Sequence, residues 1–512
     1  MKRITLIAIL FGLGAIGAQA GNVVNNQVLK ETNFRNAQWM GNDNTAGLSF
    51  KPFQIYKDLG IGFDYTSGEF HKQMDADVVR RINANTSGSA YLGKFLLWGN
   101  FSYNNIKEKG CTNNALMYEV DDDMPYYPVD TTRNNIWNKQ EFLLKAKLAS
   151  PVYWDMFSFG INIDYENKVG AKQIDPRAET YRYRVDVRPG VVFRVKDHYI
   201  GLNGHVMNYT EESDPTNMNN WKLQPMYLHK GLGESTLSSL GSNTGIKEYM
   251  FKSMMYGGNI QYAYHGGVDL LVDLEYKIRT NDVKSEPKLP KPEGSTKGSI
   301  MGLKADILFG NSKSNHFWLN GQMRKTTGTE YVVKIVSESS TMQYWKIMSE
   351  NPMSEYVHTT VDFGYDHLFG ASDERGYDWI VGATGNFTMR KEEYFLPTST
   401  FDYGFIRADV FGGKHFKFKK SSLLIKVNGG YSHSLGSDYL YAGPKPTYEP
   451  VKMYQANSQH YSISYAKVGG MASYTLNTKK IGYIFNVKGD YYMPMGVKID
   501  RFIINASFGI VF

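Results

Sequence analysis

The sequence predicts an all-β protein, a transmembrane antiparallel up-and-down β-barrel of about 18 strands (roughly 16 to 20). Three observations predict it: apolar and polar residues alternate within segments, short and long connections alternate between segments, and the chain ends on an aromatic strand. A period of two is typical of strands, because successive side chains point to opposite faces. Bacterial barrels combine an even strand number with short periplasmic turns and long external loops.

Residues 1–20 are predicted to be a secretory signal peptide. Lys2 and Arg3 precede an apolar stretch over 4–16, and a small-residue cleavage site ends at Ala20. The stretch is too short for a membrane helix, and no later run of about 18 apolar residues indicates one. We therefore expect an exported protein that is cleaved after Ala20; together with the barrel pattern, this predicts the outer membrane of a Gram-negative cell.

The net charge and the cysteine content each lead to one expectation. Removing Lys2 and Arg3 takes the formal net charge from +7 to +5, which does not indicate nucleic-acid binding. Cys111 is the single cysteine and cannot form an internal disulfide, so it would be either a reactive thiol or an inert loop residue, which we favour.

The mature chain is predicted to have two parts. Residues 21–58 form either an N-terminal plug or a periplasmic segment, and residues 59–512 form a single barrel, since no linker or composition shift divides them. The predicted strands cover residues 59–66, 75–88, 94–104, 138–149, 156–166, 179–195, 198–209, 249–264, 268–279, 297–310, 315–325, 355–368, 377–390, 401–411, 420–433, 460–476, 481–491 and 500–512.

Residues 268–279 show the alternation most clearly, with apolar residues at the even positions and mostly charged residues at the odd ones. Connections such as 196–198 and 265–267 are short. The long connections are 105–137, 210–248, 280–296, 326–354 and 434–459. Because short and long connections alternate, one rim is smooth and the other carries loops. This asymmetry favours a membrane barrel over a secreted β-sandwich or propeller.

The last predicted strand, residues 500–512, ends on Phe512. Its alternate residues are apolar, whereas the opposite face carries Asn505, Ser507 and Gly509. We expect the apolar face to meet lipid, and the strand to close the barrel by pairing with both its predecessor and the first strand.

The polar faces then line the lumen, with nearly equal numbers of basic and acidic residues. A strongly ion-selective pore would carry an excess of one sign. Arg182, Arg184 and Arg188 predict either an anion ladder or cross-strand pairing with Asp164 and Glu166, and we favour pairing.

An acidic trio on another strand has two interpretations. Asp269, Asp273 and Glu275 would either bind a cation or belong to the same charge network, since Lys277 and Arg279 follow them.

Two loops carry binding candidates, because barrels acquire specificity in their loops. Asp121, Asp122 and Asp123 would either ligate Ca²⁺ or form a solvated acidic loop, which we favour because consecutive carboxylates converge on one ion only through a turn. Tyr344 and Trp345 would either dock a partner or fold inward as a constriction.

Local motifs of hydrolases, metalloproteases and CxxC proteins are missing from the sequence. We therefore predict no enzyme, no metal and no cofactor, although catalytic residues drawn from separate strands would leave no local motif. Two hypotheses remain ahead of a barrel enzyme: a channel or solute-specific diffusion pore, and a non-conducting accessory or scaffold barrel whose loops bind a surface or periplasmic partner of an uptake or secretion complex.

The stretch "NFRNAQWMGNDNTAGLSF", residues 33–50, is similar to the start of a Bacteroidota-type outer-membrane barrel family of unknown function (domain of unknown function 6850). The likeness rests on Asn36, Ala37, Trp39, Asn42, Asn44, Ala46, Gly47 and Leu48. More distantly, "NTAGL" resembles the opening of long-chain fatty-acid channels. The signal peptide, the alternating strands and the terminal "ASFGIVF" resemble outer-membrane barrels of Gram-negative bacteria. This resemblance implies fold, location and contact with membrane lipid, and implies that the barrel-assembly machinery reads Phe512 as its signal. It implies no activity.

Overall fold

The computed structural model describes residues 26–51, 53–113, 118, 120, 123–131, 134–218, 223–240, 248–286, 289–338, 343–372, 375–478 and 481–512. The predicted signal peptide and two predicted loop residues, Asp121 and Asp122, lie outside these ranges.

Within the described ranges, 18 strands form one antiparallel sheet that closes on itself, and three short strands form a second sheet. In chain order the strands are β1 (Lys57–Ser67), β2 (Val78–Leu92), β3 (Phe95–Cys111), β4 (Pro128–Asp130), β5 (Asn135–Ala149), β6 (Phe157–Lys172), β7 (Arg177–Val195), β8 (His198–Thr216), β9 (Gln224–Gly231), β10 (Glu234–Leu240), β11 (Tyr249–His265), β12 (Val268–Ser285), β13 (Lys291–Phe309), β14 (Asn315–Ser337), β15 (Gln343–Phe369), β16 (Trp379–Phe395), β17 (Thr398–Lys417), β18 (Ser421–Leu440), β19 (Tyr465–Asn477), β20 (Gly482–Pro494) and β21 (Arg501–Val511). The second sheet consists of β4, β9 and β10.

The barrel closes between its first and last strands, as predicted. β21 pairs with β20 on one side and with β1 on the other. At the seam, the backbone amides of Lys57 and Phe512 each donate to the other residue's carbonyl at 2.9 Å. Closure pairs the strand edges, which the bilayer interior requires because it offers no water to unpaired backbone groups.

Side chains alternate across the barrel wall as predicted. On β12, outward-facing Leu274 is 55% exposed, whereas inward-facing Asp273 is 1% exposed. On β1, Leu59, Ile61 and Phe63 face outward and are likewise exposed. Such an apolar outer surface is stable against lipid and makes this a transmembrane barrel with short turns at one rim and long connections at the other. Among the described residues, no helix is long and apolar enough to cross a membrane.

The prediction of a loop over 326–354 is wrong. β14 and β15 continue through this region as a paired hairpin whose register runs up to Ser337 and Gln343. The period-two signal fails here because residues 331–336 have apolar side chains on both faces, interrupted only by Lys334, and the cross-strand pairing that stabilises them is not local in sequence. Tyr344 therefore lies on a strand of a long hairpin.

The predicted strand 460–476 also begins too early, because a helix occupies part of the preceding connection. Helix α2 covers Glu449–Tyr461 and β19 starts at Tyr465. Pro450 lies in the first helical turn, where its fixed φ and missing N–H are tolerated. The predicted connection 210–248 likewise contains β9 and β10.

Residues 26–51 and 53–56, here called the N-terminal segment, lie inside the barrel near the short-turn rim. The segment contains helix α1 (Gln27–Asn36) and two 3-10 turns, Gln38–Met40 and Thr45–Ser49. Trp39 and Leu48 are each 1% exposed, and they pack in a cluster with side chains of the barrel wall. Apart from the half-buried Asn36, the residues that carry the family resemblance are therefore buried in the lumen.

A second inner element, here called the cap, fills the mouth at the long-loop rim. It comprises the described residues between 112 and 131, strands β9 and β10, and α2. The cap contacts strands on several sides of the barrel: Lys230 pairs with Glu330 of β14 at 2.7 Å, and Tyr439 of β18 donates to the Leu232 carbonyl at 2.9 Å.

Candidate functional site

A chamber of about 1000 Å³ lies beneath the cap, on the long-loop side of the N-terminal segment. Side chains from strands all around the barrel form its wall, and the cap contributes Tyr127 and Met453. A cavity of this size is at the upper end of those that hold small molecules. The chamber is therefore the candidate functional site.

The lining of the chamber is basic, although the lumen as a whole was predicted to be balanced. Among the described lining residues, ten are basic and five acidic. The basic residues are Lys72, Arg81, Lys139, Lys168, Arg182, Arg184, Arg279, Arg324, Arg390 and Arg501, and the acidic ones are Asp75, Glu108, Glu141, Glu166 and Glu392. An excess of one sign in an enclosed cavity attracts solutes of the opposite charge.

Two of the three predicted arginines of β7 line this chamber. Arg182 and Arg184 lie 3.4 Å from the Glu166 carboxylate on the neighbouring strand, and Lys168 lies 3.6 Å from it. Three cations therefore share one carboxylate. Their role in solute passage stays a prediction.

Arg188 lies deeper and binds the N-terminal segment. Its guanidinium contacts Asp43 at 3.1 Å, Asp164 at 3.0 Å and Asp186 at 2.6 Å. Burial alone would raise the pKa of the Asp43 carboxyl, but Arg188 and nearby Lys304 hold that pKa below its usual value. Arg188 thus ties the N-terminal segment to β7.

The predicted acidic trio of β12 also faces the N-terminal segment. Asp273 accepts a 2.6 Å hydrogen bond from the Asn42 amide, and Asp269 forms an ion pair with Lys51. Glu275 pairs with its own strand neighbour Lys277 at 2.8 Å. Within the described residues no group of acidic, histidine or cysteine side chains is arranged to hold a metal ion.

The cap places Asp123 between two arginines of the opposite wall. Its carboxylate oxygens lie 3.2 Å from Arg324 of β14 and 3.2 Å from Arg390 of β16. Asp123 is 5% exposed, so it is not part of a solvated acidic loop. Sequence analysis singled out Asp123 but did not connect it with the two arginines, because both lie more than 200 residues away in the chain.

Aromatic rings cover much of the remaining chamber wall. Tyr403 of β17 stacks on Tyr461 of α2 with ring centroids 3.8 Å apart, and Phe401 packs beside them. Arg182 lies 4.5 Å from the Tyr209 ring centroid. Rings and guanidinium groups together suit solutes that have both an anionic group and an apolar body.

The remaining predicted candidates lie away from the chamber. Tyr344 is 40% exposed on the β14–β15 hairpin, and the Lys291 ammonium lies 5.9 Å from the centroid of the Trp345 ring. Phe512 is at the barrel seam. The structure therefore does not bring these residues together with the lumenal candidates.

The structural comparisons give neighbours of low similarity. The ferric preacinetobactin receptor BauA from Acinetobacter baumannii is 9% identical, with 89% of this chain and 80% of that chain covered and a TM-score of 0.33. The unliganded ferric citrate transporter FecA is 7% identical, with 89% and 78% covered and a TM-score of 0.39. A mutant of the monoaromatic hydrocarbon channel TodX is 11% identical, with 93% and 94% covered and a TM-score of 0.32. We draw nothing about function from such values.

At the level of sequence, no curated protein matches the chain. One family model does, over residues 45–512, and its description is a family of unknown function (DUF6850). The match covers the whole barrel and begins inside the N-terminal segment.

Proposed function

Because the chain belongs to this family of unknown function, we propose its role from its own geometry: a solute-specific channel of the outer membrane, not an enzyme. The observation that carries the proposal is the chamber, a solute-sized cavity inside the barrel with the N-terminal segment toward one rim and the cap at the other. In this proposal both inner elements are closures that move when a solute passes.

The contacts of the N-terminal segment suit a closure that can be released. Charged contacts tie the segment to separate strands of the barrel: Arg35 pairs with Asp366 of β15 at 2.8 Å and Glu31 with Lys426 of β18 at 2.6 Å. Polar contacts of this kind can be exchanged for contacts with water, which is less costly than exposing an apolar core of equal area. The same argument applies to the cap at its ion pairs.

Conductance in planar bilayers tests the proposal. We expect the mature full-length chain to conduct little, and a chain lacking residues 26–56 to conduct in discrete steps. The deletion also removes Lys30, the ion-pair partner of Asp58 in the barrel wall. Arg188→Gln in the full-length chain is a milder variant, because it loosens the N-terminal segment without removing it. We expect it to raise the open probability. Zero conductance of all three chains at every voltage would contradict the channel.

A second candidate function rests on the β14–β15 hairpin. β14 has 23 residues and β15 has 27, whereas about 9–11 residues cross a bilayer. Val332 and Met348 are exposed near its tip, at 54% and 57%. A hairpin of this length suits an accessory barrel that binds a partner at the cell surface. A chain that never conducts would favour this candidate.

Export and assembly are also proposed. We expect mass spectrometry of the protein from the outer membrane to find Gly21 at the N-terminus, and deletion of Phe512 to lower the yield of folded barrel through impaired recognition by the assembly machinery. Folded protein with an uncleaved N-terminus would contradict the signal-peptide interpretation.

A further inference from the structure

The ion pairs of Asp123 differ from the other ion pairs of the chamber. The two oxygens of one carboxylate go to two arginines, Oδ2 to Nη1 of Arg324 and Oδ1 to Nη1 of Arg390, both at 3.2 Å. The arginines come from β14 and β16, on the barrel wall, whereas the carboxylate comes from the cap. Each guanidinium group thus lies at ion-pair distance from one oxygen of the carboxylate, a ligand for which arginine is well suited.

The surroundings make the arginine pair a built site. The side chains of Asp123 and Arg390 are 7% and 3% exposed. Glu392 pairs with Nε of Arg390 from the same strand, which leaves Nη1 directed at Asp123. Arg324 also contacts the His358 ring nitrogen at 2.6 Å. Both arginines are therefore held in place by wall residues, independently of the cap.

We propose that the Arg324–Arg390 pair is the binding site for the carboxylate group of the transported solute, and that Asp123 occupies this site in the closed state. The inference rests on the proposed channel, and it deepens it by naming the solute class. A solute carboxylate that replaces Asp123 satisfies both arginines, so the cap is released without leaving a buried charge unpaired. Solute binding and opening are then coupled.

The class of ligand follows from the occupant. A carboxylate already fits the pair, whereas a phosphate group brings a third oxygen and a larger charge to the same space. The excess of basic residues in the chamber lining raises the local concentration of anions. Nearby aromatic rings, including Tyr356 in the chamber wall, accommodate an apolar body.

Calorimetric binding to the detergent-solubilised full-length chain tests the site without requiring conductance. Succinate is the probe, with inorganic phosphate and the neutral isostere succinamide as comparisons. We expect Asp123→Asn to bind succinate about tenfold more tightly than the unaltered chain, because a competitor is removed. We expect Arg324→Gln to weaken binding by about tenfold or more, and Arg324→Lys, which keeps the charge but offers fewer donors, to weaken it less.

An exposed pair of the same chemistry supplies the controls. Arg194 lies 3.2 Å from Asp155 at the short-turn rim, and the Asp155 side chain is 85% exposed. Asp155→Asn and Arg194→Gln should leave succinate binding unchanged. In bilayers, added succinate should raise the open probability of the unaltered chain but not of Arg324→Gln.

The outcomes separate the two proposals. If neither Asp123→Asn nor Arg324→Gln changes the affinity for succinate, the proposed site is overturned, even where the chain conducts. Phosphate or succinamide binding as tight as succinate binding overturns the carboxylate class. Binding that follows the expected series in a chain that never conducts supports the site and overturns the channel.

Discussion

Gly47 shows how closely the N-terminal segment is packed around one indole ring. A Cβ at this position would lie 1.9 Å from an atom of the buried Trp39 ring, so the ring would have to move. We expect Gly47→Ala to destabilise the segment by about 1–3 kcal/mol, as is typical of overpacking. Conductance in bilayers and proteolysis of the segment should both increase, because the displaced segment leaves the short-turn rim.

The same segment offers a matched control. At Gly41 the nearest atom to an added Cβ is 3.8 Å away, which is an ordinary contact. Gly41→Ala should therefore leave conductance unchanged. Equal effects of the two substitutions would show that the segment is not held by its packing around Trp39.

His229 is the residue at which acid should act on the cap. Its Nδ1–H donates to the Pro125 carbonyl at 2.8 Å, and its Nε2 accepts from the Gly233 amide at 3.0 Å, so both contacts require the neutral ring. Burial lowers the pKa of His229 to about 4. The unfolded cap therefore takes up a proton below about pH 6.5 before the folded cap does, and stability falls as the pH drops from 6.5 toward 4.

We expect the open probability to rise as the pH drops from 6.5 toward 4. The lowered pKa of His229 corresponds to a loss of up to about 3 kcal/mol of cap stability. His460 of α2 has its pKa lowered to about 4 by burial as well. His229→Gln should therefore flatten the pH profile in part, and His229→Gln with His460→Gln should flatten it further. A profile that both substitutions leave unchanged would assign the acid response to other groups.

At the scale of elements, the sequence predicts the barrel well and the inner elements poorly. Alternation of side chains is a local property, so the 18 barrel strands and the seam at Phe512 could be read from it. β4 has only three residues, Pro128–Asp130, too few to establish a period. The Asp123 site joins three segments that lie far apart in the chain, and a single sequence carries no signal that connects them.

The β14–β15 hairpin should be dispensable for the barrel. Its register shifts between Val332 and Val333, and the pairs beyond that bulge join only the two strands. We expect replacement of residues 333–348 by Asn-Gly, a two-residue turn that suits a hairpin, to leave the barrel's unfolding temperature and conductance unchanged. Circular dichroism during heating measures the first.

A lower unfolding temperature of the trimmed chain would show that the hairpin packs on the rest of the protein. Trp345→Ala is the milder comparison, since it removes one ring and keeps the strands. If the hairpin binds a partner, only partner binding should respond to either change.

At the scale of the whole molecule, the proposed channel has two closures in series, the N-terminal segment and the cap. The N-terminal segment is held at the short-turn rim by contacts such as Arg188 with Asp43, and the cap at the other rim by Asp123 with its arginines. Among the described residues, those lining the chamber include none from the N-terminal segment. The two sets of contacts share no residue, so their free energies should add.

This separation predicts how two substitutions combine. If each closure must open for a solute to pass, the open probability is the product of two terms, and the free energies of opening are additive. We expect Gly47→Ala with Asp123→Asn to raise the open probability by the product of the two single-variant factors, measured in the same bilayers. An open probability no higher than that of the better single variant would mean that one closure alone limits passage. A value above the product would mean that the closures are coupled across the chamber, so that a solute entering at the cap also loosens the N-terminal segment.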